Sequence, residues 1–147
     1  MKIKKLHKDA ILPSYATDGA TAFDIYTYQD IEWSNDNGTY EARVPTGWAF
    51  EIPKEHGLFI LSRSGHGFNY NTTLANSVGL LDYDYRGELF VKLIVLGFEP
   101  PKIKKGQAIA QCVLLKTPRQ SFEVVEELSD TKRGSKGFGS TDERKDL

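Results

Sequence analysis

Cysteine is almost absent. Cys112 is the only one in 147 residues, so no intrachain disulfide can form and no thiolate zinc cluster can be assembled. Net charge is equally scarce: 19 Lys and Arg against 20 Asp and Glu leave a formal charge of -1, without the long-range field that draws basic proteins to nucleic acid or membrane surfaces. Long apolar runs are missing too. No stretch approaches the length that spans a bilayer, and Met1-Lys2-Ile3-Lys4-Lys5 is not followed by the apolar run of a secretory leader. The histidines, His7, His56 and His66, lack metal-ligand spacing, so no stably held transition metal is expected. These absences point to a soluble, cytoplasmic protein with no nucleic-acid or membrane partner. The length suits one domain with a real core and is too short for two.

What the chain does have is a series of short apolar or alternating runs: Thr21 to Tyr28, Trp48 to Ile52, Leu58 to Leu61, Glu88 to Leu96, Ala108 to Lys116 and Phe122 to Leu128. All are of strand length. Phe23 and Ile25 share one face and Asp24 and Tyr26 the other. Leu89 to Leu96 is apolar on both faces apart from Lys92, which suits a central strand. Cys112, among Ala110, Val113 and Leu114, reads as a buried core thiol. Asn37-Gly38 signals a hairpin, while Pro100-Pro101, Lys105-Gly106 and Arg86-Gly87 mark further reversals. No amphipathic helix of ordinary length fits, although Ser64 to Tyr70 suits a short one. The expected fold is an all-β sandwich or distorted, jelly-roll-like barrel over residues 1–128, followed by a tail from 129 to 147.

That tail contains Arg133-Gly134-Ser135-Lys136-Gly137-Phe138-Gly139-Ser140-Thr141. Its composition alone fits a frayed polar terminus. It also fits a lid over a nucleotide: Arg133 offers a charged fork, Ser140 and Thr141 offer hydroxyls, the glycines admit close backbone approach, and Phe138 has no apolar neighbour of its own. Upstream, Leu61-Ser62-Arg63-Ser64-Gly65-His66-Gly67 ends a strand with the donors of a second anion nest, or with an ordinary Ser-Gly terminator. Gln111 is an amide on an apolar strand and needs a partner, either backbone or ligand. The densest segment, Asn76 to Gly87, places Asp82, Asp84, Tyr83, Tyr85 and Arg86 on one hairpin-like excursion. It reads as a solvated turn or as a pocket edge. In the second reading Asp82, directly after Val78-Gly79-Leu80-Leu81, is a partly buried carboxylate able to act as a general base, and one tyrosine ring stacks on a sugar.

Five segments in order then carry a resemblance: Ala20-Thr21-Ala22-Phe23-Asp24-Ile25-Tyr26, Arg63-Ser64-Gly65, Gly79-Leu80-Leu81-Asp82-Tyr83-Asp84-Tyr85-Arg86-Gly87, Gly106-Gln107-Ala108-Ile109-Ala110-Gln111, and the glycine-rich tail. Over nearly the whole chain this resembles the homotrimeric deoxyuridine triphosphatases. The resemblance implies water attack on the α-phosphorus of dUTP, giving dUMP and pyrophosphate, with Asp82 as the base. It implies that Tyr85 packs on the deoxyribose and refuses a 2′-hydroxyl. Asn76, Gly79, Leu80 and Phe90 would form the uracil pocket. Arg63, Ser64, Gly65 and Gln111 would hold phosphates, and Asp24 would hold Mg2+ through its water shell. Phe138 would stack on uracil while Arg133, Gly139, Ser140 and Thr141 close over the phosphates, in sites shared between subunits of a trimer.

Ser62, Ala22 and His66 depart from the family's usual proline, glycine and aliphatic residue, which bears on metal affinity and on charge near the phosphates. Two alternatives accompany this reading: a deoxycytidine triphosphate deaminase on the same fold, which relies on a glutamate and lacks the tail, and a nucleotide-responsive regulator of phage type with a protein partner.

Overall fold

The computed structural model describes residues 1–36 and 38–137. Eight strands occur among them: β1 (Lys2–Lys5), β2 (Phe23–Tyr26), β3 (Glu41–Glu51), β4 (His56–Leu61), β5 (Thr72–Leu74), β6 (Gly79–Leu81), β7 (Glu88–Val95) and β8 (Ala108–Lys116), with one short helix, α1 (Ser64–Tyr70), after β4. They form two antiparallel four-stranded sheets, ordered β1-β3-β7-β5 and β2-β8-β4-β6. The architecture is the expected all-β sandwich.

Alternation builds the core. Along β7, Leu89, Val91, Leu93 and Val95 are buried while Phe90 and Lys92 are exposed. β7 is central, as expected, but only one of its faces is covered. Phe23 and Ile25 of β2 and Ile109, Ala110 and Cys112 of β8 close the core from the other sheet. Burial pushes the Cys112 thiol up to about 12, with the Asp24 charge adding to the rise, so this thiol is inert packing.

β3 runs seven residues ahead of the expected start at Trp48, despite Pro45 within it. At Pro45 the strand pairs with β7 alone, because β1 joins only from Trp48 onward, so the missing N–H breaks no ladder there. The register then shifts between Pro45 and Ala49 around Gly47, whose φ is +75°. Side chains satisfy this bulge: Thr46 Oγ1 donates to the Leu89 carbonyl at 2.8 Å, and the Gly47 N–H donates to the Glu88 carboxylate at 2.7 Å.

Two expectations fail. Phe122 to Leu128 forms no strand, and Phe122 and Val124 are almost fully exposed, at 97% and 98%. Its alternation is real, but no strand within the described chain pairs with it. The Asn76 to Gly87 excursion is not a hairpin either. β6 pairs with β4 in one sheet and β7 with β3 and β5 in the other, so the segment between them crosses the sandwich. Of the proposed Asn37-Gly38 turn, Asn37 lies outside the described residues; Gly38 has φ +77°, and Ser34 and Glu41 bridge across the reversal.

Candidate active site

Most of the candidate site residues line one of two cavities. One, of about 470 Å³, is walled by the loop before β2, by β2 and β8, and by the turn into α1; Asp24, Arg63, Ser64, Gly65 and Gln111 all line it. Asp24 is fixed through its backbone by a bridge to Ser14 and is opposite Gln111 in the β2–β8 register. Its carboxylate accepts a hydrogen bond from Arg63 Nε at 3.2 Å, and Arg63 also donates from its terminal nitrogen to the Ala108 carbonyl at 3.2 Å. The partner that Gln111 requires is backbone: its Nε2 donates to the Ser62 carbonyl at 3.0 Å. A fork of charge, a hydroxyl and an exposed glycine backbone thus face one space, as an anion site needs.

The other cavity, of about 540 Å³, lies between β5, β6 and β7. Asn76, Gly79, Leu80, Tyr85 and Phe90 line it together with Arg43, Glu88 and Lys92. β6 is an edge strand, so part of its backbone hydrogen-bonding capacity is not taken by β4 and stays available beside the cavity. Gly79 packs closely there: a Cβ would stand 3.0 Å from Ile60 Cβ, so a larger residue would need Ile60 to shift. Tyr85 is 44% exposed, and its hydroxyl donates to the Glu88 carbonyl at 3.2 Å. Asp82 sits between the lining residues Leu81 and Tyr85 without lining the cavity itself.

Asp82 is exposed, not partly buried as expected. The β6 alternation turns Leu81 inward and therefore turns Asp82 outward, and no other element of the described chain covers it. The two cavities share no lining residue; neighbouring Ile60 and Leu61 on β4 line one each. One chain thus brings together Asp24, Arg63, Ser64, Gly65 and Gln111, separately brings together Asn76, Gly79, Leu80, Tyr85 and Phe90, and does not join the two sets. Arg133 reaches neither cavity and donates to the Lys136 carbonyl in its own turn at 2.9 Å. Phe138, Gly139, Ser140 and Thr141 lie outside the described residues.

The departing residues have visible roles. Ser62 Oγ accepts the Leu74 N–H at 3.0 Å and meets Thr73 Oγ1 at 3.0 Å, tying β4 to β5. Ala22 lines the Asp24 cavity. His66 is half-buried, with its Nδ1 lacking a hydrogen-bond partner among the described residues. Burial, aided by the Arg63 charge and opposed by Asp24, holds His66 below the usual imidazole range, which works against its adding charge near the phosphates.

Arg43 was not among the expected site residues. Its guanidinium lies 4.2 Å from the centre of the Phe90 ring. The signal lies in the alternation of Glu41 to Val44, which the expected run from Trp48 left out.

The dUTPase family model matches residues 8–142. A deoxyuridine 5'-triphosphate nucleotidohydrolase of Caldanaerobacter subterraneus is 42% identical over 143 residues, covering 96% of each chain. Its counterpart in Nautilia profundicola is 41% identical over 141 residues, covering 96% of this chain and 97% of its own. The solved dUTPase of Staphylococcus bacteriophage 80alpha with dUPNHPP superposes with a TM-score of 0.76 at 23% identity, covering 95% of this chain and 96% of its own. That phage protein controls transfer of virulence genes. The relatives are nucleotidohydrolases, so neither a deaminase nor a regulator is favoured. With a family model matching residues 8–142 and relatives about 40% identical over 96% of the chain, the chain belongs to the dUTPase family.

Proposed function

We propose that the protein hydrolyses dUTP to dUMP and pyrophosphate in the cytoplasm, keeping uracil out of DNA and supplying dUMP for thymidylate synthesis. The observation that carries this reading is the division of the family's motif residues between an anion-suited cavity and a separate, largely apolar one, each incomplete alone. We assign the sites to a homotrimer in which Asn76, Gly79, Leu80, Tyr85, Phe90 and Asp82 of one subunit face Asp24, Arg63, Ser64, Gly65 and Gln111 of another. The tail from residue 129 would close over the substrate.

Uracil enters the β5–β7 cavity, where β6 backbone groups and Asn76 meet its polar edge. A backbone edge fitted to uracil rejects the amino group of cytosine and the methyl of thymine by leaving polar groups unpaired or atoms overlapping. Tyr85 packs on the deoxyribose and leaves no room for a 2′-hydroxyl. Arg63, with the Ser64 hydroxyl and the Gly65 backbone, holds the phosphate chain. Asp82 accepts a proton from water as that oxygen bonds to the α-phosphorus; the bond from that phosphorus to the bridging oxygen breaks, and pyrophosphate leaves.

Mg2+ fits this site in one way only. Among the described residues no group of three or more His, Cys, Asp or Glu gathers to form a metal cage, while Asp24, 15% exposed at its side chain and paired to Arg63, can accept hydrogen bonds from metal-bound water. Mg2+, carried in on the triphosphate, would offset charge on the phosphate oxygens. Titration calorimetry is therefore expected to show negligible Mg2+ binding to the nucleotide-free protein and binding together with dUTP; stoichiometric metal in the free protein would contradict the assignment.

The reading as a whole is tested by measuring pyrophosphate release with dUTP, dCTP, dTTP and UTP side by side, with ammonia assayed in parallel. Fast pyrophosphate release confined to dUTP is expected. Ammonia from dCTP, or binding of dUTP without turnover, would overturn it.

A further inference from the structure

The loop from Asp82 to Gly87 has to do two things at once: leave Asp82 free and hold the Tyr85 ring over the β5–β7 cavity. Its inner end is anchored by Tyr83, which packs against the core under the Arg119 guanidinium, 5.7 Å from the ring centre. Its outer end is held by Arg86. One terminal nitrogen of this guanidinium donates to the carbonyl of Tyr83 at 2.7 Å and to that of Tyr85 at 2.9 Å. Both bonds are charge-assisted, and together they close the chain on either side of Asp84. The remaining contacts of Tyr85 agree with this clamp. Its N–H donates to the Asp82 carbonyl at 3.2 Å, its hydroxyl donates to the Glu88 carbonyl at 3.2 Å, and its ring lies so close to Gly87 that a Cβ there would stand 2.5 Å from Cζ. Arg86 is also the nearest cation in sequence to Asp82 and Asp84, yet it forms no ion pair with either. The hydrogen bonds of that terminal nitrogen go to backbone oxygens, and among the described residues no ion pair claims the Asp82 carboxylate.

We propose that Arg86 is a positioning residue for sugar selection: it acts through Tyr85, by holding the loop in the shape that lays the Tyr85 ring across the cavity. The inference rests on the assignment of Tyr85 as the deoxyribose contact. Arg86 lines neither of the two cavities. Removing it frees the Tyr83 and Tyr85 carbonyls to rotate toward water, and the ring, exposed and tethered only through its hydroxyl and N–H, no longer closes the space beside the sugar.

The test compares Tyr85→Ala, Arg86→Ala, Arg86→Lys and the double variant Tyr85→Ala/Arg86→Ala by kcat/KM for dUTP and UTP. The dUTP-to-UTP ratio is expected to fall about tenfold in Arg86→Ala, the scale of a lost hydrogen bond to a charged group. Arg86→Lys, which keeps the charge but not the fixed fork, should fall between Arg86→Ala and the parent. The double variant should show the ratio of Tyr85→Ala alone, because the two residues act on one contact. A merely structural role would lower the melting temperature and reduce both substrates alike. If Tyr85→Ala narrows the ratio while the arginine variants keep the parent ratio, the proposal for Arg86 is overturned and the assignment of Tyr85 stands; should Arg86→Ala fail to fold, Arg86→Lys decides. An unchanged ratio in Tyr85→Ala itself would overturn both.

Discussion

Asp82→Asn should leave dUTP bound and the protein folded while turnover falls by roughly two to four orders of magnitude, the range expected when a general base is lost. The side chain is exposed, and among the described residues the hydrogen bond Asp82 accepts is at its backbone carbonyl, from the Tyr85 N–H at 3.2 Å. Asparagine keeps that carbonyl, the shape and the polarity, so the melting temperature should stay within the small range of ordinary surface substitutions. The amide nitrogen cannot take the proton from water. Calorimetry with dUTP and a pyrophosphate assay on the same preparation separate the two effects. Near-parent turnover would mean that another group is the base.

Gly47→Ala carries the largest expected effect on stability. Gly47 has φ +75° inside the β3 bulge, and a Cβ there would lie 2.5 Å from Ala10 Cβ and 3.2 Å from His7 Cβ. Relief cannot come from a flexible side chain, because Ala10 is buried and the Leu6 N–H bonds the Gly47 carbonyl at 2.8 Å. Left-handed backbone costs about 1–2 kcal/mol for a residue with a Cβ, and a forced overlap about 1–3 kcal/mol more. That is a large share of a total stability of about 5–15 kcal/mol. Thermal unfolding followed by circular dichroism should show a drop of several degrees or loss of the folded state. Gly19→Ala, where a Cβ meets nothing within 4 Å, is the control. Equal melting of the two variants would contradict the account of the bulge.

Where alternation was regular, the strands could be read from the sequence: β8 over Ala108–Lys116 and β7 from Glu88 match their expected spans closely, and α1 occupies Ser64–Tyr70 as expected. β3 was only half legible, since Pro45 reads as a strand breaker until it is known that β1 does not reach that position. β1, four residues with every side chain exposed, and the three-residue strands β5 and β6 are too short for a periodic signal. Phe122 to Leu128 shows the converse: its pattern is that of a strand, yet pairing depends on a neighbour that the described chain does not supply.

The candidate site followed the same division. Motif order named the candidate residues, and the structure places most of them along cavities. What no single-chain pattern could convey was that they fall into two cavities, that Asp82 is exposed, and that Arg43 stands over Phe90. Each depends on strands far apart in sequence. Gln111 lies in between: its polar character on an apolar strand signalled a partner, but the partner, the Ser62 carbonyl, came only with the fold.

The central claim is that dUTP is hydrolysed in sites built from the two cavities of different subunits. Subunit mixing between Asp82→Asn, which keeps the Arg63 cavity intact, and Arg63→Gln, which keeps Asp82 and the β5–β7 cavity intact, tests it most directly. Each variant alone is expected to be nearly inactive. In an equal mixture, with mixed trimers verified by native mass spectrometry, about one site in four should join an intact Asp82 from one chain to an intact Arg63 from another, and pyrophosphate release from dUTP should return to about a quarter of the parent rate. If verified mixed trimers remain as inactive as either variant alone, base and phosphate cavity belong to the same chain and the shared-site account is wrong.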